Sequence, residues 1–329
     1  MSDLPPPAGR KLDFSKLCLK TREQRSHKVR LDLLGKPTPR GCSFAEWLDS
    51  LPGFLGANEF RATVRAIVAA RRAGRPVLFG FGGHVVKTGC SPLIIDMMQR
   101  GIFTGICTNG SGAIHDLELA ETGETSEEVA ETIRDGTFGM VVETCERMNA
   151  AATRGATGSG LGRALGELLL EGKAPHADLS LFAAAARLNL PATIHVALGT
   201  DTVHMHPLAD GGAIGQATMH DFRTFCSVVA DMTAVASDAR SVADAPGGVY
   251  LNVGSAVVLP EVFLKAVSVA RNLGHSLAGM HTANFDMLRH YRPAQNVVGR
   301  PVAPGCGHSV TGQHEILLPM LRQAVIEQL

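Results

Sequence analysis

From residue 57 onward, the apolar positions of the chain alternate between two rhythms. Phe60 to Ala73 places apolar residues at helical spacing and stops at Gly74. Pro76-Val-Leu-Phe-Gly-Phe81 is a short continuous apolar run, which predicts a buried strand leading into glycines. The same alternation recurs down the chain. Leu93 to Arg100 predicts a helix, Phe103 to Thr108 a second strand, and Asn109-Gly-Ser-Gly112 a turn. Residues 111–190 read as mostly helical, an insertion or a cap. A third strand follows over Pro191–Leu198, a helix over 216–235, a fourth strand over Gly248–Ser255, a helix over Leu259–Asn272 and a fifth strand over Ser276–Thr282. A helix from His314 to Gln328 closes the pattern. Repeated strand, glycine turn and helix predict an α/β fold with a parallel sheet flanked by helices. The rhythm is absent before residue 57, so residues 1–56 read as an N-terminal arm and lead-in, and 57–329 as one domain.

Composition supports a large core. The chain has 329 residues, 45% of them hydrophobic and 19% charged, which excludes disorder of the whole. Lys+Arg and Asp+Glu balance at 31 each, so no nucleic acid or anionic membrane partner is expected. No apolar run reaches the roughly 20 residues of a membrane span, and Met1-Ser-Asp-Leu-Pro-Pro-Pro7 has no apolar leader. Seven cysteines, none in a CxxC pair, fit a reduced, cytoplasmic protein better than a disulfide scaffold. Charge is uneven, however: residues 1–40 hold ten Lys/Arg against four Asp/Glu, and five of the eight lysines (Lys11, Lys16, Lys20, Lys28 and Lys36). That basic arm could lie over the body, over a neighbouring subunit, or free in solvent.

Ligands of open parallel sheets bind at the carboxyl ends of the strands, and polar residues gather at the predicted ends here. Gly80-Phe-Gly82-Gly83-His84 begins like a dinucleotide fingerprint, but Val85 stands where the third glycine belongs. Gly82 to Thr88 also lacks the glycine that would precede the lysine in a phosphate-binding P-loop. The glycines and free backbone N–H groups still suit an anion such as a pyrophosphate; a ligand-free tight turn is the alternative. Lys87 could neutralise a phosphate or form an imine with a carbonyl, or be a solvated surface lysine. His115, at the start of a helix that also carries Asp116 and Glu118, could act as general acid or base. His204 and His206 share one side of an extended segment and could bind a metal with Asp201 or Asp210, although hydrogen bonding to substrate or to loop backbone is the stronger expectation. Cys306 with His308 is a sparse nucleophile pair.

Taken in order, these stretches resemble the deoxyhypusine synthase family. The resemblance rests on Gly82-Gly-His-Val-Val-Lys-Thr-Gly89, Asn109-Gly-Ser-Gly-Ala-Ile-His-Asp116, Ala209-Asp-Gly-Gly212, Gly254-Ser-Ala-Val-Val258, Thr282-Ala283 with Phe285-Asp286, and Ile316-Leu-Leu-Pro-Met-Leu321. It spans roughly residues 60–325. It implies a Rossmann-like domain that binds NAD, assembled as a homo-oligomer (dimer or tetramer) with sites at dimer interfaces, and an N-terminal segment able to cover a neighbour's site. It implies oxidation of spermidine with NAD and transfer of its aminobutyl group, through an imine on an enzyme lysine, to an acceptor amine. The cofactor contacts it implies are Gly82, Gly83, His84, Thr88, Gly89, Asn109, Ser111, Gly112, Asp210, Gly254, Ser255, Thr282 and Ala283.

Three departures argue against deoxyhypusine synthesis itself. The family's imine-forming lysine lies in a Trp-Gly-Lys segment, where this chain reads Val298-Gly299-Arg300, and arginine cannot form that imine. Leu259-Pro260-Glu261 stands where the family has a histidine. The acidic run that holds the polyamine is replaced by the basic Met287-Leu-Arg-His-Tyr-Arg292, which attracts an anion. The expectation is an enzyme carrying out NAD-dependent transfer or redox chemistry on a small, more anionic substrate, with Lys87, His115, His204 and His206 as candidate catalytic groups and no committed metal site. A metal-dependent hydrolase or lyase built on His204/His206 and a non-catalytic nucleotide-binding protein are the alternatives.

Overall fold

A computed structural model describes Gly9, residues 12–234 and residues 245–329. The triple proline, Lys11 and the last residue of the helix expected over 216–235 lie outside the described residues. Helices α1 (Phe44–Ser50) and α2 (Leu55–Arg72) precede β1 (Val77–Phe81), and α3 (Gly83–Lys87) and α4 (Ser91–Gln99) lead to β2 (Gly105–Asn109). Helices α5 (Gly110–Thr122), α6 (Val129–Thr132), α7 (Val142–Gly155), α8 (Leu161–Glu171) and α9 (Leu181–Arg187) fill the crossover to β3 (Ala192–His195). Helix α10 (Gly211–Ala230) leads to β4 (Val249–Val253), and α11 (Val258–Asn272) to β5 (His281–Asp286). A short helix α12 (Tyr291–Pro293), continued by a π-helical turn over Ala294–Gly299, precedes β6 (Gly307–Thr311), and α13 (His314–Ile326) closes the chain.

The six strands form one parallel sheet in the order β3-β2-β1-β4-β5-β6. β1 and β4 are buried at every position, as expected for central strands covered on both faces. Their residues alternate between two cores. Val77, Phe79 and Phe81 join Leu251 and Phe285 beneath α2 and α13, while Leu78 and Tyr250 join Phe225 and Phe263 beneath α10 and α11. This is the parallel α/β sheet expected from the alternation of strand and helix, with the Rossmann-like architecture that the resemblance implies.

Three local expectations are corrected. The fifth strand begins at His281 rather than Ser276, because its register is set by pairing Val249 with His281 and Val253 with Phe285. The segment before it turns through Leu277 at φ 54°. The β6 strand carries no apolar run and was expected only as a strand shared by Cys306 and His308; it begins at Gly307, just after Cys306, and as an edge strand it needs no apolar run. Across His204 and His206 the chain is not extended: Thr202–Met205 is a 3₁₀ turn, in which residues two apart do not share a side. Within the arm expected over 1–56, residues 12–32 are exposed, whereas from Phe44 the chain packs on the body. Leu48 is in the core, and the Ala45 N–H donates to the Glu327 carboxylate at 2.8 Å.

Candidate functional site

Strand order reverses between β1 and β4, so their crossovers leave in opposite directions and a crevice opens at their carboxyl ends. Glycines build its floor. The Gly82 N–H donates to the Val253 carbonyl at 2.9 Å, and a Cβ on Gly82 would stand 2.1 Å from the Gly254 oxygen. A Cβ on Gly83 would stand 2.4 Å from Ser111 Oγ and 2.9 Å from His115 Cδ2. Gly254 itself needs a left-handed φ of 66° and lies against the His314 ring. The sequence thus brings Gly82, Gly83, Ser111, Gly254 and His115 together in one place.

The neighbouring helix start is already occupied. The Asn109 side chain accepts from the Gly112 N–H at 3.1 Å and caps α5. The Asp201 carboxylate sits over Gly110, where a Cβ would meet its oxygen at 1.9 Å. Burial pushes the Asp201 carboxyl up, and the nearby His204 imidazole, 3.9 Å away, partly offsets that. The start of α5 is thus taken up by the chain's own Asn109 and Asp201 side chains.

His204 is a staple of its own loop. Its Nδ1 accepts from the Gly199 and Asp201 N–H groups at 3.1 and 3.3 Å. His206 Nδ1 accepts from the Leu208 N–H at 3.2 Å, and exposed Asp210 caps α10 through the N–H groups of Gly212 and Ala213. Among the described residues, no three His, Cys, Asp or Glu side chains are grouped to hold a metal ion. Ser255 Oγ is likewise turned to backbone, accepting from the Leu259 N–H of α11.

Two buried groups at this edge escaped sequence reasoning. His314, the first residue of α13, is 1% exposed, and neither of its ring nitrogens has a hydrogen-bond partner among the described residues. Its ring lies 5.5 Å from that of His84. Burial pushes its imidazole down, the Asp286 carboxylate opposes that, and His84 adds to it. On β4, Asn252 donates to the Ser255 carbonyl and to Asn284 Oδ1 while its own Oδ1 has no partner among the described residues. Nothing in their sequence surroundings separates these residues from ordinary helix and strand positions.

His115, on α5, is better connected. Its Nδ1 lies 2.8 Å from Thr125 Oγ1, which donates to Glu118; Thr144 donates to the other oxygen of that carboxylate at 3.2 Å. Burial would raise the Glu118 carboxyl, but the His115 ring 3.8 Å away and the hydrogen bonds from Thr125 and Thr144 hold it below the usual carboxylate range. Asp116, beside His115 in sequence, faces away and receives Ser180 Oγ and the Leu181 N–H at 2.6 and 2.7 Å.

Other expected members lie apart. Lys87 ends α3, exposed and about one helical turn beyond Gly83. Thr88 bonds the His84 carbonyl, and Gly89 makes the left-handed turn that follows. Thr282 and Ala283 are displaced from the crevice because β5 starts late: they pair with Tyr250 and Leu251, and Thr282 Oγ1 donates to the Val297 carbonyl at 2.6 Å. His281 opens the opposite, amino edge of the sheet. There its Nδ1 meets His308 Nε2 at 3.2 Å, and His308 Nδ1 meets Glu59 at 3.2 Å. Both nitrogens of His308 are thus engaged away from Cys306. In the segment after β5, exposed Arg300 bonds Asn296 Oδ1, while Arg292 and Lys265 pair with Glu261.

No family model matches the chain, and no curated protein matches its sequence. Solved structures do share its fold. An AgrE variant bound to L-arginine is 13% identical with a TM-score of 0.51, over 83% of this chain and 32% of that one. A protein from Methanococcus maripaludis S2, provisionally named a LOR/SDH protein, is 15% identical with a TM-score of 0.49, over 83% of this chain and 70% of that one. A protein from Entamoeba histolytica, provisionally named a deoxyhypusine synthase, is 12% identical with a TM-score of 0.48, over 89% and 96% of the two chains. The chain spans about a third of the length of AgrE. At such identities the shared property is the α/β fold with its parallel sheet.

Proposed function

We propose that the chain is an NAD-linked enzyme that oxidises, or transfers a group from, a small anionic molecule at the β1–β4 crevice. The observation that carries this reading is the floor of that crevice, where Gly82 and Gly254 meet backbone to backbone at the reversal of strand order. Side chains are excluded there, so a dinucleotide's pyrophosphate could approach the N–H groups of the turn after β1. The residues present fit such a group: beside this floor stand the unpartnered nitrogens of His314 and the unpartnered Asn252 Oδ1, and a bound polar molecule gives buried groups of this kind a partner. Bound there, the nicotinamide would supply a two-electron acceptor. His115, against Gly83, is placed to move a proton. Arg289, exposed just beyond the end of β5 and outside any ion pair among the described residues, favours a negatively charged substrate.

The rest of the reading is coarser. Within the segment before residue 57, the exposed stretch 12–32 serves as the arm and the part from Phe44 is a lead-in packed on the body, and a second copy of the chain covers the exposed Leu12, Phe14, Leu19 and Leu31, giving a dimer or tetramer. All seven cysteines are free, which suits a reducing compartment such as the cytoplasm. No described helix is long and apolar enough to cross a membrane. Calorimetry with NAD+ and NADH, with metal content measured on the same sample, tests the central claim. Micromolar binding without stoichiometric metal supports it; absence of dinucleotide binding refutes it. Light scattering in solution tests the oligomer.

A further inference from the structure

Hydrogen-bond bookkeeping around His115 fixes more than its position. Glu118 is held as a carboxylate, so both of its oxygens accept. Thr125 has a single hydroxyl proton, and that proton goes to Glu118. The Thr125 oxygen, 2.8 Å from His115 Nδ1, must then accept, so Nδ1 carries the ring proton and Nε2 is left with a bare lone pair. Nε2 adjoins Cδ2, the atom that packs over Gly83 beside Ser111, so the lone pair belongs to the ring edge at the crevice. The His115 side chain is 15% exposed, so it is not sealed in the core.

We infer that Glu118 and Thr125 are positioning residues: they hold His115 as the Nδ1–H tautomer, so that Nε2 takes the proton from a substrate hydroxyl or amine. The inference rests on the NAD-linked reading for its chemistry, but its geometry stands without it. A proton passes from the substrate O–H or N–H to Nε2. The electron pair of that bond becomes the second bond of a C=O or C=N group as the adjacent carbon gives up hydride to the two-electron acceptor. The imidazolium formed is balanced through the Thr125 hydroxyl by Glu118, whose carboxylate lies 3.8 Å from Nδ1. Thr144, from α7, holds the second oxygen of Glu118, and Cys145 on the same helix is the other titratable group facing this carboxylate. Asp116 takes no part, since Ser180 and the start of α9 occupy it.

The test reads the tautomer directly. Protein labelled with ¹⁵N-histidine is compared with Thr125→Val, Thr125→Ser and His115→Gln, the last assigning the signal. The expected result is an Nδ1–H pattern for His115 in the ligand-free chain, retained with Ser and converted to a mixture with Val. An Nε2–H pattern, or a tautomer indifferent to Thr125→Val, overturns the inference. Dinucleotide binding is measured separately by calorimetry, so a chain with the expected tautomer and no NAD binding defeats the functional reading alone. In turnover of an anionic alcohol or amine, followed by NADH absorbance, Thr125→Val should lower kcat by about 100-fold at little changed KM, and Thr125→Ser should restore it. A lowered melting temperature with kcat unchanged would make the trio a structural strut and overturn the inference.

Discussion

Replacing Gly82 by alanine tests the floor of the crevice most sharply. Gly82 has a φ of −96°, which any residue tolerates, so backbone strain does not confuse the result. The new methyl group would stand 2.1 Å from the Gly254 oxygen and 2.9 Å from its carbonyl carbon, with the Ser255 nitrogen 3.5 Å away. All three neighbours are backbone, so no side chain can rotate out of the way. Ordinary contact requires the two strand ends to part by more than an ångström, against the hydrogen bond from the Gly82 N–H to Val253 and that from the Gly254 N–H to Phe285. Overpacking of this kind costs about 1–3 kcal/mol, and the absence of a yielding side chain places Gly82→Ala near the top of that range, about a hundredfold in the folding equilibrium. Gly215 is the control: it lies in α10 with nothing within 4 Å of its Cβ position, and alanine there should stabilise by about 0.5–1 kcal/mol. Urea unfolding compares the two, and calorimetry with NAD+ follows. The reasoning fails if Gly82→Ala unfolds at the same urea concentration as Gly215→Ala and binds dinucleotide as the parent does.

Other outcomes follow from buried titratable groups and from the displaced candidates. Burial pushes the Asp221 carboxyl up to about 7 against the Ile194 and Gly162 N–H groups it accepts from, so its contribution to stability is present below about pH 4 and is lost as pH rises towards 7. Asp221→Asn should flatten that loss, of order 4 kcal/mol, in urea titrations at pH 4.5 and 7.5. Burial pushes His195 down to about 3, so its contribution is present above about pH 6.5 and declines as pH falls towards 3. His195→Gln should shallow the acid limb, and an unchanged limb would show that another group controls it. Lys87→Met tests imine chemistry: loss of turnover with NAD affinity kept would support it, whereas full activity would dismiss it. Removing the imidazole in His204→Ala should raise protease cleavage within 199–206 without altering bound metal; release of a stoichiometric metal by that variant would revive the hydrolase alternative.

Legibility in the sequence followed burial symmetry. β1 and β4 bury both faces and read as apolar runs; β5 is just as buried yet reads as His-Thr-Ala-Asn-Phe-Asp, because its polar side chains are satisfied internally. That disguise moved its predicted start by five residues and carried Thr282 and Ala283 to the wrong edge. Glycine turns were readable because a glycine run after an apolar strand has few other uses. His115 and Glu118 were visible three residues apart on one helix, but Thr125 joins them from a loop beyond the helix end, which no periodicity encodes. His314 needed the strand order itself, since only the adjacency of β1, β4 and β5 buries it.

The pairing that creates the crevice also dates it in the life of the molecule. β1 pairs with β4 from Val77 to Val249, across about 170 residues of chain, and β2 pairs with β3 only after five helices have intervened. Closing such loops is entropically costly before any contact rewards it. The two halves, β1 to β3 and β4 to β6, each hold pairings nearer in sequence than β1 with β4, so the joining of the halves carries the largest closure cost in the sheet. A ligand of the crevice therefore meets only chains that have completed that step, and its binding protects against the parting of the two halves.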